Sequence, residues 1–177
     1  MIRRLAAAIG CGLLASVALG GCASNNNPIG GLPGFNEPLA TADAKLNVEA
    51  ARAVISSYRT NNGLGPVSID PELMKLAGEQ ARAMAQRDKL DHNVLRPFQQ
   101  RIQPFDASVA VENIAAGYDT LAEAFSGWRA SPAHRTNMLN PAVTKMGIAA
   151  VYTPKSKYKV FWSLILAKPD DKRSAER

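Results

Sequence analysis

A chain of 177 residues with 46% hydrophobic and 20% charged side chains has room for one domain with tails and lies in the globular range of composition. No uninterrupted apolar run reaches the roughly 18 residues of a membrane span, which excludes a polytopic membrane protein; composition also excludes collagen and extended disorder. The formal charge of +6 comes from Lys and Arg scattered along the chain rather than gathered in a patch, so no nucleic-acid partner is expected.

Residues 1–21 have the layout of an export leader. Arg3 and Arg4 precede an apolar stretch from Leu5 to Leu19, followed by Gly20, Gly21 and Cys22, a positive start, an apolar middle and small residues before a cleavage point. Leu19-Gly20-Gly21-Cys22 is similar to a bacterial lipobox, in which the cysteine sulfur receives a diacylglyceryl group and becomes the mature N-terminus. The resemblance implies lipidation at Cys22, attachment to a membrane through it, and an extracytoplasmic location in the cell envelope. With Ala23 rather than Asp next, sorting would be to an outer membrane where one exists; a secreted form is the alternative. Cleavage would remove Cys11 and take the 21 basic residues to 19, against 15 acidic. No intrachain disulfide could then form, and stability must come from a packed core.

Residues 22–40 are rich in Asn, Gly and Pro without sustained periodicity and read as a flexible tether. Residues 41–168 carry the pattern of a domain, and 169–177 (PDDKRSAER) read as a charged, solvated tail. Within the domain, Val48, Ala51, Val54, Ile55 and Tyr58 repeat at helical spacing, with Gly63 as a stop. Asp70-Pro71-Glu72 is a cap, a first-position proline and an acid at the positive end of a second helix; its stripe Leu73, Leu76, Ala77, Met84 continues to about Lys89. Pro97 and Pro104 bracket a short helix or loop containing Phe98 and Ile102. Val109 to Ile114 alternates as a short strand. Thr120 and Glu123 form a capping box for a third helix carrying Leu121, Ala124, Phe125 and Trp128. Ser131-Pro132 repeats the cap-then-proline signal for a short helix ending near Asn140-Pro141. Met146–Tyr152 and Tyr158–Ala167 read as an antiparallel hairpin.

Only two histidines occur, His92 and His134, and neither lies within an apolar stripe. Glu112 stands in an otherwise apolar strand, so it either faces solvent or is buried with a partner. Taken singly, each of the three has an ordinary surface, capping or strand role available. No His-Glu-x-x-His, paired-cysteine, Gly-x-Ser-x-Gly or phosphate-loop motif is present, which argues against a locally encoded zinc site, a nucleophile elbow and nucleotide chemistry. Ser131 is accounted for as a helix cap.

Taken in order, Leu90-Asp91-His92-Asn93, Val111-Glu112-Asn113-Ile114-Ala115, Trp128 through Leu139 with its Ser131-Pro132-Ala133-His134-Arg135 core, and Gly147-Ile148-Ala149 resemble the bacterial branch of the CAP superfamily. This superfamily holds the cysteine-rich secretory, antigen 5 and pathogenesis-related 1 proteins, also called SCP-like extracellular domains. The resemblance spans about Leu46 to Ala167. It implies an α+β fold, an α/β/α sandwich with a central antiparallel sheet, and a cleft where histidines and acids face each other. Residue by residue, His92 matches the first cleft histidine, Glu112 the glutamate of the Glu-Asn-Ile motif, and His134 the second histidine. Many animal members have a second acid three residues after a tryptophan; here that position, counted from Trp128, is Ser131, and Glu123 nearby is already used in its capping box.

The resemblance supports three functional readings. In the first, the domain is a non-enzymatic binding module for a lipid or a wall-associated ligand, held at the membrane by Cys22. In the second it is a metal-assisted hydrolase, protease-like, using His92, Glu112 and His134 as catalytic candidates, with His92 and His134 holding a divalent ion such as zinc. In the third the polar cluster is structural, with Glu112 bridging the two histidines. The missing second acid leans against an enzyme.

Overall fold

A computed structural model describes residues 31–170. The leader, Cys22 and the tail beyond Asp170 lie outside the described residues. Five helices and four strands follow in the order α1 (Val48–Thr60), β1 (Ser68–Ile69), α2 (Pro71–Arg87), α3 (Phe98–Ile102), β2 (Ala107–Ala116), α4 (Leu121–Ala130), α5 (Pro132–Met138), β3 (Lys145–Tyr152) and β4 (Val160–Pro169), with a 3-10 turn at Gln103–Phe105 between α3 and β2.

The caps read from sequence hold several of these helices. Asp70 accepts from the backbone N–H groups of Glu72 and Leu73 at the start of α2. Thr120 and Glu123 close a capping box at α4. Asn47 caps α1 through the N–H of Ala50, satisfying donors that the first turn leaves unpaired.

The sheet has the order β1-β3-β4-β2. β4 is central and runs antiparallel to both neighbours, with Glu112 opposite Ile165 on β2 and Gly147 opposite Ile165 on β3. The sheet is antiparallel except at β1, a two-residue strand that pairs parallel to β3 at Lys145 and Met146. That strand is not legible in the sequence, because two residues hold no periodicity.

Alternation along β4 separates the layers. Trp162, Leu164 and Leu166 pack with α1, α4 and α5, where Val54, Ile55, Leu121, Phe125, Trp128 and Met138 complete a buried core. On the opposite face Ile165 and Ala167 meet Leu73, Leu76 and Ala77 of α2 with Ile102 and Phe105, and Phe161 meets Met84. The result is the expected three-layer α/β/α sandwich. Trp128 and Trp162 meet edge to face across the first core, ring centroids 6.3 Å apart, a favourable arrangement of two aromatic quadrupoles.

The tether read over residues 22–40 is corrected over its second half. Residues 31–40 dock on the domain: Leu39 is buried, Leu32 and Phe35 pack on the first core, and Leu39 N–H donates to Asp119 O while Phe35 O accepts from Ala122 N–H. Three apolar side chains in a Pro- and Gly-rich stretch suffice, since burying each offsets part of the ordering cost of an already stiff segment.

Candidate functional site

Each candidate residue reaches the site on a different element. Glu112 lies on β2, on the sheet face covered by α2 and α3, and its side chain is 1% exposed. His92 comes from the loop after α2, and its Nδ1 sits 2.9 Å from Glu112 Oε2. With the Glu112 carboxylate as acceptor, Nδ1 carries the proton of this contact, and Nε2 is the ring nitrogen left uncommitted. The imidazole is half exposed, at 47%.

The partner that sequence reasoning missed is Arg101 on α3. Its Nη2 donates to Glu112 Oε1 and Oε2, each at 2.9 Å, and to His92 O at 3.1 Å. Its Nε donates to Arg96 O, and its guanidinium lies over the Phe98 ring at 5.3 Å. Ser163 Oγ on β4 donates to Glu112 Oε1 at 3.3 Å. A carboxylate offers about four lone-pair sites, and here Arg101, His92 and Ser163 use them. An acid in an apolar strand demands a partner; the two arginines between His92 and Glu112 in the chain, Arg96 and Arg101, were the available signal.

His134, near the start of α5, does not join this cluster. Glu112 bridges His92 to Arg101 and not His92 to His134, which corrects the reading of a glutamate spanning both histidines. Amides fix His134 instead: Asn113 Nδ2 donates to its main-chain oxygen at 3.0 Å, and Asn137 Nδ2 donates to Asn113 Oδ1 and to Glu112 O. The Asn of Glu-Asn-Ile and the Asn of Arg-Thr-Asn thus tie α5 to β2. Burial, with the charge of His92 as a smaller cause, holds the His134 imidazole below its usual pKa.

His134 lines a cavity of about 220 Å³ with Leu90, Ile114, Tyr118, Trp128 and Ser131. Ser131 occupies the N-cap position of α5, as the sequence indicates, without a side-chain capping hydrogen bond, and it also lines the cavity. Most of the lining is apolar, with the imidazole of His134 and the hydroxyl-bearing Ser131 and Tyr118 among it.

The donor set does not fit a resident metal. Among the described residues no group of three His, Cys, Asp or Glu side chains is placed to hold an ion, and the oxygens of Glu112 are engaged by a guanidinium. Zinc sites take three or four protein ligands, and two imidazoles alone fall short.

Comparisons with known proteins bear on the family and the fold. The sequence profile of the cysteine-rich secretory protein family, CAP, matches residues 52–166. An uncharacterized protein of Bacillus subtilis (strain 168), YkwD, is 32% identical over 128 residues, covering 63% of this chain and 49% of that protein; the chain spans about half the length of this curated relative. Among solved structures, an outer surface protein of Borrelia burgdorferi superposes with a TM-score of 0.63 at 21% identity over 70% of this chain and 92% of its own. An extracellular protein containing an SCP domain from Bacillus anthracis gives a TM-score of 0.60 at 22% identity, covering 68% of this chain and 39% of its own. With the family profile spanning more than half of the chain and the fold shared with these structures, the protein belongs to the cysteine-rich secretory protein (CAP) family.

Proposed function

We propose that the protein is an extracytoplasmic, lipid-anchored binding module whose ligand, a lipid or a wall-associated molecule, enters the cavity beside His134. The observation that carries this reading is the saturation of Glu112. A general base needs an uncommitted lone pair aimed at the proton it takes, and the Glu112 oxygens are held by Arg101, His92 and Ser163. The hydrolase reading through His92, Glu112 and His134 therefore lacks Glu112 as its base. The structural reading accounts for His92, Glu112 and Arg101, and leaves the cavity with His134 and Ser131 as the part that can meet a ligand.

The cavity's volume of about 220 Å³ is below the usual range for drug-sized ligands, which suits one end of an amphiphile rather than a whole substrate. Its apolar walls would take the hydrocarbon, and Ser131 and His134 would meet a polar group. Export and anchoring rest on the leader and on Cys22, and the similarity in fold to an outer surface protein of Borrelia burgdorferi and an extracellular protein of Bacillus anthracis supports the location.

Native mass spectrometry of the full chain, produced through an export pathway, tests the binding. A lipid-sized adduct is expected on the wild type and not on Ala116→Leu, which adds bulk at another residue of the cavity's lining; Glu112→Gln should keep the adduct. The same adduct on Ala116→Leu would move the ligand elsewhere. Fractionation of Cys22→Ser tests the anchor: this variant should leave the membrane fraction, and if it stays there the lipidation reading fails.

A further inference from the structure

The outer edge of β3 is paired only at its beginning. β1 covers Lys145 and Met146: Thr144 O accepts from Ser68 N–H and Met146 O from Asp70 N–H. The next outward donor, Ile148 N–H, is covered by the sulfur of Met74 at 3.3 Å. In an antiparallel ladder the residues of one parity face one neighbour and the rest face the other. The outward set therefore continues with Ile148 C=O, Ala150 N–H and C=O, and Tyr152 N–H. Among the described residues no backbone or side-chain group bonds these four.

Natural edges are commonly blunted by charges, proline or a bulge. After Lys145, β3 contains none of these, and its pairing with β4 is regular to Tyr152. The open edge lies in a groove. Two cavities of about 460 and 170 Å³ share Arg82, Val151 and Tyr152 as lining. One wall is the small-residue turn Thr41, Ala42 and Ala44, and the other is Arg82 of α2. Arg82 is exposed and has no ion pair among the described residues. Lys155, also exposed, follows Pro154 at the groove's end.

We propose that this groove binds an extended, acidic protein segment by addition of a strand to β3. Main-chain hydrogen bonds to Ile148, Ala150 and Tyr152 supply the register, and side chains of the added strand alternate between the two walls. Those facing α2 meet Arg82 and are acidic; those facing Thr41 to Ala44 meet small side chains and are apolar. A second copy of this chain is a poor occupant. Two β3 edges paired antiparallel about a twofold axis would place both α2 helices on one face of the joined sheet and bring two unpaired Arg82 cations toward each other.

The probe is a blocked pentapeptide, Val-Glu-Val-Glu-Val, titrated into the ¹⁵N-labelled full chain. The amides of Ala150 and Tyr152 are expected to shift and to exchange more slowly with solvent. Arg82→Glu should weaken binding about tenfold, and the lysine counterpart of the peptide should recover it on that variant; Arg82→Gln serves as a milder second variant. Three results would overturn the proposal. They are no shift at millimolar peptide, equal binding by wild type and both Arg82 variants, or the same amides shifting with protein concentration alone, which would assign the edge to a second copy. None of these outcomes bears on the cavity beside His134, which lies on a different part of the sheet.

Discussion

Arg101 and Glu112 form a buried ion pair in which one guanidinium nitrogen donates to both carboxylate oxygens at 2.9 Å, with the two side chains 2% and 1% exposed. The pair joins α3 to β2 and holds His92 from two directions, through the Nδ1 contact to Glu112 and the Arg101 bond to His92 O. A buried pair that loses one member leaves an uncompensated charge, at about 3 to 5 kcal/mol. Arg101→Met and Glu112→Gln are each expected to lower the unfolding midpoint in urea by a loss of that order for the first and somewhat less for the second, since Gln removes the charge but keeps the shape. The double variant Arg101→Met/Glu112→Gln should lose much less than the sum of the two, because no charge is left unpaired. Additive losses in the double variant would show that the two residues do not act as a pair.

How much of this was legible in the sequence depends on whether the information was local. The caps of α2 and α4 were, because Asp70 with Pro71 and Thr120 with Glu123 act within one turn of chain. The two strands of the hairpin were, because β3 and β4 are long enough to show alternation. Arg101 was not: its charge is neutralised by a residue on another element, and nothing in its own neighbourhood distinguishes it from Arg96. Ser131 was legible in part: a serine before a proline marks the cap position of α5, which it occupies, but the absence of a side-chain cap bond and its place at the cavity are set by tertiary packing. The docking of residues 31–40 is also tertiary, carried by Leu32, Phe35 and Leu39 rather than by any pattern.

His134 makes stability depend on pH in one direction. Burial, with His92 as the lesser cause, holds its pKa below the ordinary 6.5. Between 6.5 and that lower folded value the unfolded chain binds the proton and the folded chain does not. This residue's contribution is therefore complete above the unfolded value and is lost as pH falls through the window, since stability rises with pH wherever the unfolded state binds more protons. Urea midpoints of wild type and His134→Gln should diverge as the pH is lowered from about 7.5 to about 5.5, with the wild type losing more. Parallel curves would mean that the imidazole titrates alike in both states.

Arg59 is a second buried cation, 1% exposed, and it binds carbonyls instead of an acid. Its Nε donates to Gly65 O at 2.9 Å, Nη1 to Met138 O and Asn140 O at 2.8 Å each, and Nη2 to Val143 O at 3.0 Å. These bonds clamp the end of α5 and the approach to β3 onto α1. Burial lowers its pKa, but a guanidinium stays protonated in proteins. Arg59→Met strands buried carbonyls and should cost about 3 kcal/mol, each unsatisfied group contributing part of its desolvation. Arg59→Lys should recover little, because a compact ammonium cannot reproduce a planar fork spread over four acceptors. Chemical denaturation of the three proteins decides this: a lysine variant as stable as wild type would show that charge alone matters there.

Gly147 sets how closely α2 approaches the sheet. A Cβ at that position would stand 2.1 Å from the carbonyl carbon of Leu73 and 2.2 Å from its oxygen. The obstacle is backbone, not the movable end of a side chain. Nor can α2 withdraw freely: Asp70 N–H donates to Met146 O at 2.9 Å, and Ile148 N–H meets Met74 Sδ at 3.3 Å, so the helix start is held to β3 on both sides of the glycine. Gly147→Ala must break those contacts or bend β3, and should cost about 3 kcal/mol, the upper end for overpacking. Gly65→Ala is the control, since nothing lies within 4 Å of a Cβ built there, and its effect should stay within about 0.5 kcal/mol. Because α2 leads through Arg87 into the loop that carries His92, displacement of the helix should also loosen the His92 Nδ1 contact to Glu112, visible as a changed imidazole chemical shift. Equal stability of the two glycine variants would show that α2 and β3 can separate without cost, and that the glycine is not what fixes the position of His92.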